Sequence, residues 1–157
     1  MKYIAPLLII FILSSCGNTF YVVRHAEKAK PLAGMSVIEA NDPPLTDSGK
    51  LRAIQLKEEL KNKNIQYIFS TNYRRTLSTA QPFVGKPLNR LRGFTSIQFY
   101  NPKKDSTDVF VQRLKSIKKG NVLIVGHSNT VDDITKLFWG SIVVHSDLKE
   151  TDYDNLY

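Results

Sequence analysis

The sequence predicts an α/β domain built as a three-layer sandwich, with a mostly parallel central sheet and helices on both faces. Two observations lead there. Short apolar runs alternate with longer segments of helical spacing, as expected of strands that are buried on both sides. Three of those runs, Thr19–Val23, Gln66–Phe69 and Asn121–Val125, also end in polar, chemically capable residues. In open α/β sheets, ligands bind in the crevice outside the strand carboxyl ends.

The elements follow in order. The first strand ends in Arg24-His25-Ala26-Glu27. Thr46 is a fitting N-cap for a helix running to about Lys61, in which Ala53, Leu56 and Leu60 recur at helical spacing. The second strand ends in Ser70-Thr71-Asn72-Tyr73-Arg74-Arg75, and a short helix over Arg75–Gln81 is stopped by Pro82. A helix over Asp105–Lys119 places Val109, Phe110, Leu114 and Ile117 on one face, with Gly120 as its stop. The third strand ends in Gly126-His127-Ser128-Asn129. A last helix over Thr130–Phe138 has Asp132 and Asp133 in its first turn and Gly140 as its cap.

Arg24, His25, Arg75 and His127 together suit phosphoryl chemistry. Guanidinium forks match the oxygens of a phosphoryl group. A neutral imidazole is a nucleophile that forms a covalent intermediate, dividing one hard displacement into two easier ones. Neighbouring cations lower the pKa of His25 and keep it neutral near pH 7. Taken singly, each histidine could be a solvated strand end. That reading does not explain why an arginine should also follow the remaining strand, Gln66–Phe69.

Four segments in this order, Arg24-His25-Ala26-Glu27, Leu45-Thr46-Asp47-Ser48-Gly49, Ser70 through Ala80 and Val125-Gly126-His127-Ser128, resemble the histidine phosphatase superfamily, also called phosphoglycerate mutase-like. The resemblance runs from about Thr19 to the C-terminus. It implies that His25 is phosphorylated on a ring nitrogen while Arg24, Arg75 and His127 hold the phosphoryl oxygens. Arg75 is preferred to Arg74 because it stands four residues before Thr79-Ala80. Lys28 and Asn129 are looser candidates for substrate contact. Asp152–Tyr157 resembles the start of the family's last strand.

The proton donor is the open position. The mutase branch takes a glutamate from the segment after the third motif, but Gln81–Lys104 contains no Asp or Glu, which argues against mutase activity. Glu27 is the nearest candidate in sequence and Asp42, in a rim loop, is the other. A donor is dispensable when the leaving group is good, as with phosphohistidine. Lys86, Arg90, Arg92, Lys103 and Lys104 form a basic stretch whose default reading is a solvated surface. If it overhangs the pocket, it favours a substrate with more charge than one phosphate, or a lipid headgroup.

Lys2 followed by the apolar run Ile4–Leu13 is too short to span a bilayer and resembles a secretory signal. It closes on Leu13-Ser14-Ser15-Cys16, which resembles a bacterial lipobox. The expected organisation is therefore a lipoprotein signal peptide over residues 1–15, a lipidated Cys16 with a tether over residues 16–18, and one catalytic domain over residues 19–157. The expected location is exported and lipid-anchored. Cys16 is the only cysteine, so no disulfide forms within the chain.

The net charge of +8 suits an anionic partner, and a small phosphorylated substrate and a membrane fit best. Nucleic acid is disfavoured, because Arg74-Arg75, Lys103-Lys104 and Lys118-Lys119 are scattered and lack interleaved aromatics. Gly85-Lys86 lacks the earlier glycine and the Ser/Thr of a phosphate loop. No His/Asp/Glu cluster has metal-ligand spacing, so neither metal nor cofactor is expected. His145 reads as structural or exposed, and Trp139 as core. The reading is a membrane-anchored phosphatase; the alternatives are a phosphohistidine phosphatase and a non-catalytic phosphate- or lipid-binding lipoprotein.

Overall fold

A computed structural model of the chain describes residues 17–85 and 96–140, together with Tyr153 and Leu156. The signal segment, Cys16, Lys86, Arg90, Arg92, His145 and the Trp139 side chain lie outside the described residues, as does most of Asp152–Tyr157.

Four strands, β1 (Phe20–Arg24), β2 (Ile65–Ser70), β3 (Ile97–Phe99) and β4 (Asn121–Gly126), form one sheet in the order β1-β4-β2-β3. Every pairing within it is parallel. Leu156 adds an antiparallel bridge to Val23 on the free edge of β1.

The helices are α1 (Val37–Asn41), α2 (Asp47–Glu59), α3 (Arg74–Ala80), α4 (Lys104–Lys115) and α5 (Ser128–Trp139), with single 3₁₀ turns at Lys61–Lys63 and Gln81–Phe83. Period-two alternation sorts the strand residues onto two cores. Val22, Phe69, Val122 and Ile124 pack with Phe110, Val111, Leu114, Val131 and Ile134 of α4 and α5. Val23, Ile68, Leu123 and Val125 pack with Leu60, Ala80 and Phe83 on the face that carries α2 and α3. This is the three-layer sandwich.

Several expected elements are revised. In α4 the buried stripe is Thr107, Phe110, Val111 and Leu114, whereas Val109 is 73% exposed. The spacing i, i+3, i+4, i+7 selects Val111 over Val109. α4 also ends at Lys115, and Gly120 instead turns the chain into β4 at φ +111°. Pro82 does not end a helix abruptly but sits in the 3₁₀ turn that extends α3. α5 begins at Ser128, which puts Asp132 and Asp133 beyond its first turn; Gly140 caps it in the left-handed region at φ 71°. Among the described residues, no helix is long and apolar enough to cross a membrane.

Candidate active site

Strand register brings the two histidines together. Arg24 of β1 is paired with Gly126 of β4, so the residues that follow leave the sheet side by side. The backbone N–H of His25 donates to Gly126 O at 2.9 Å, and the imidazoles of His25 and His127 stand 5.5 Å apart, edge to face. Gly126 is required by space, because a Cβ there would sit 2.4 Å from Thr130 Oγ1 and 2.7 Å from the Tyr100 hydroxyl. β2, on the other side of β4, delivers Thr71 and then Arg75 to the same edge.

These residues line one cavity of about 320 Å³ formed by Arg24, His25, Lys28, Tyr73, Arg75, Pro102, Lys103, His127, Ser128 and Asn129. Of the candidates, Arg24, His25, Lys28, Arg75, His127 and Asn129 are thus brought together. Arg74 is exposed and does not line the cavity, whereas Arg75 does. Lys103 does line it, so the basic stretch reaches the mouth at that residue.

Both imidazoles are neutral at physiological pH. Burial is the largest influence on His25; the bond to Ala26 opposes it, and Arg75, Arg24 and Lys28 reinforce it, leaving the ring at about 4. His127 is driven down to about 3 by burial, and then by Arg75, His25, Arg24 and Lys28. His25 Nδ1 lies 2.7 Å from Ala26 O. A carbonyl only accepts, so Nδ1 carries the hydrogen and Nε2 keeps its lone pair.

His127 is held through its other nitrogen. Its Nε2 is 2.9 Å from Thr71 Oγ1, which is 2.9 Å from Thr76 Oγ1. Thr76 in turn donates to the carbonyls of Thr71 and Tyr73 at 3.0 Å. Both threonines are fully buried, so this chain of hydroxyls is shielded from water. Tyr73 closes the remaining side, edge-on to His127 at 5.1 Å and with the Arg75 guanidinium 4.5 Å over its ring.

The other motifs serve as scaffolding. Thr79 Oγ1 accepts from Ala26 N at 3.0 Å and donates to Arg75 O at 2.8 Å, which ties the first motif to α3. Thr46 caps α2 by accepting from Gly49 N, and a Cβ on Gly49 would lie 2.4 Å from Glu27 O. The close approach of α2 to the loop after His25 therefore depends on a glycine there. Tyr153 stacks on Arg24, whose guanidinium lies 4.8 Å over the ring.

Glu27 is the residue that the structure does not bring to the cavity. Arg52 of α2 grips its carboxylate, with Nε 2.9 Å from both oxygens and Nη2 2.7 Å from Oε1. These hydrogen bonds hold Glu27 below the usual carboxylate range, in the form that cannot donate a proton. Asp42 accepts from Arg74 N at 2.8 Å and from Arg75 Nη1 at 3.4 Å, which places it as a clamp on the arginine. No carboxylate lines the cavity among the described residues.

The comparisons agree with this architecture. The family description "histidine phosphatase superfamily (branch 1)" matches residues 20–102. The chain belongs to the histidine phosphatase superfamily. No curated protein matches the sequence. Among solved structures it is similar to a protein assigned as the phosphohistidine phosphatase SixA of Agrobacterium tumefaciens, at 18% identity, TM-score 0.55, and 74% and 73% of the two chains covered. YhfR of Bacillus stearothermophilus gives 18% identity, TM-score 0.58, and coverage of 80% and 81%. A mycobacterial glucosyl-3-phosphoglycerate phosphatase, solved with inorganic phosphate, gives 12% identity, TM-score 0.59, and 80% of each chain covered. At these identities the likeness is one of fold.

Proposed function

We propose that the protein is a phosphatase that hydrolyses a phosphomonoester through a phosphohistidine on His25. One observation carries the reading: a buried, neutral imidazole with Nδ1 held by a carbonyl shares a cavity with Arg24, Arg75 and a second neutral imidazole. His25 Nε2 attacks phosphorus, the bond from phosphorus to the leaving oxygen breaks, and that oxygen takes up a proton. Water then attacks the phosphohistidine, the P–N bond breaks, and phosphate leaves while the water's second proton passes to solvent. Arg24, Arg75 and His127 stabilise the charge on the transferring oxygens, the preorganised electrostatics that dominate such reactions. No metal is needed in this scheme, because the cations are supplied by side chains. Lys28 and Asn129 contact the remainder of the substrate.

A second reading concerns the leaving group. With Glu27 bound to Arg52 and no lining carboxylate among the described residues, substrates that leave without a proton are favoured. Phosphohistidine and acyl phosphates are of that kind; mutase activity, which needs an acid, is disfavoured. We place the enzyme outside the cytoplasm on a lipidated Cys16, with small phosphorylated molecules rather than nucleic acid as its substrates.

Purified protein assayed on alkyl, aryl and amido phosphates tests both readings. Aryl and amido phosphates should turn over well and alkyl phosphates poorly. Equal rates on all three would restore a proton donor. Phosphate binding without turnover of any of them would identify a non-catalytic phosphate-binding protein.

A further inference from the structure

The amino ends of the strands lie at the edge opposite the cavity, and a set of lysines gathers there around the point where the chain enters the sheet. Asn18 Nδ2 donates to the carbonyl of Ile117, immediately before Lys118 and Lys119. Thr19 N donates to Asn121 Oδ1 at 3.0 Å, and Asn121 Nδ2 donates to the carbonyl of Lys63. Thr19 O accepts from Val122 N at 2.9 Å. These bonds fasten Asn18 and Thr19 between two basic turns. Lys63, Lys118 and Lys119 are exposed, and none makes an ion pair among the described residues. Lys61 is partnered by Glu58 at 3.1 Å; Glu59 is the other carboxylate at the end of α2.

The sequence outside the described region bears on what meets this edge. The apolar run Ile4–Leu13 ends five residues before Asn18, and five extended residues reach at most about 18 Å. If Cys16 is instead the lipid-bearing residue, Asn18 is within about 7 Å of it. Whether the apolar run stays attached or Cys16 carries the lipid, the lysine edge is the part of the domain nearest the attachment point. The cavity is displaced from it by the length of β1, five residues or about 16 Å.

We propose that the strand amino-terminal edge, with Lys63, Lys118 and Lys119 at its centre, docks on an anionic phospholipid surface and turns the catalytic cavity away from the bilayer. Lysines within a Debye length of about 8 Å of such a surface contribute roughly a fivefold gain in partitioning each. The cavity edge has its own rivals, since Lys28 and Lys103 line the pocket and Leu32, Val37 and Ile38 nearby are 69%, 77% and 81% exposed. The short connection to Asn18 decides between the two edges.

The test is partitioning of the full chain by flotation, with lipid titrated from neutral or anionic vesicles. The apolar run acts on both vesicle types, whereas the lysine edge acts on the anionic ones alone. The triple variant Lys63→Glu/Lys118→Glu/Lys119→Glu should lower the anionic-over-neutral ratio by about a hundredfold or more, leaving neutral partitioning and turnover unchanged. Lys30→Glu/Arg74→Glu/Lys104→Glu, matched in charge at the cavity edge, should change the ratio by less than about threefold. An equal or larger loss in that second variant would overturn the proposal, as would a wild-type ratio near one. Failure of the wild type to join neutral vesicles would instead refute the membrane role of the apolar run, with the lysine edge still tested by the anionic arm. If the triple glutamate variant proves misfolded by circular dichroism, the triple glutamine variant should give the same direction of change.

Discussion

Mild acid should destabilise this protein through its two site histidines. His25 and His127 move from an ordinary 6.5 to about 4 and about 3 in the folded state, mainly because burial disfavours the imidazolium. The unfolded chain therefore binds more protons than the folded one below pH 6.5. Stability is complete above that value and is lost as the pH falls toward the folded-state values. At about pH 5 an unfolded histidine is nearly all protonated while the folded one is nearly all neutral, which costs about 2 kcal/mol per site. Both folded rings stay neutral at that pH, so the two contributions add and the pair together costs roughly 3–4 kcal/mol. Against a total of about 5–15 kcal/mol for an ordinary domain, that is a large share. Urea denaturation at about pH 7 and about pH 5, on wild type and on His25→Asn/His127→Asn, isolates the effect, since the carboxylates titrate equally in both. The wild type should lose roughly 3–4 kcal/mol more than the double variant. Equal losses would mean that the imidazoles are not held neutral by burial, and the basis for a nucleophile ready at neutral pH would fall.

Three further outcomes follow from the geometry. Arg75→Ala should fold normally and lower kcat/KM by about a hundred- to thousandfold, while Arg74→Ala stays near wild type; damage from Arg74→Ala instead would misplace the third motif. Thr71→Val, which keeps the shape but removes the partner of His127 Nε2, should lower kcat by about tenfold or more, and Thr71→Ser should restore most of it. Glu27→Gln should destabilise the protein in denaturation through loss of its grip on Arg52, while altering aryl- and alkyl-phosphate turnover by the same modest factor; a selective loss on alkyl phosphates would return Glu27 to the role of acid.

The parts of this molecule legible in the sequence are those fixed by local chemistry. Thr46 announces the start of α2, Gly140 the end of α5, and the apolar runs announce β1, β2 and β4. Two histidines after two strands imply a shared pocket because strand ends of a parallel sheet share an edge. What the sequence conceals depends on contacts made by distant segments. β3 is only three residues long, too short to show a strand period, and its Phe99 is 56% exposed. α1 has no buried residue and is held by its Ser36–Glu39 capping box. Tyr73 and Thr71 sit within a recognised motif, yet their roles against Arg75 and His127 appear only when β2 is laid beside β4. The setting of Glu27 is hidden for the same reason. This residue is two residues from His25 in sequence, but the loop turns it toward Arg52, 25 residues further on.

The most direct measurement of the central claim is chemical trapping of the intermediate. The protein mixed briefly with a ³²P-labelled aryl phosphate and quenched in base should carry label that is stable to alkali, released by acid, and located by peptide mapping at His25. His25→Ala should carry none, and His127→Ala should still carry label, formed more slowly. Label persisting in His25→Ala, or turnover in that variant at the wild-type rate, would contradict the account.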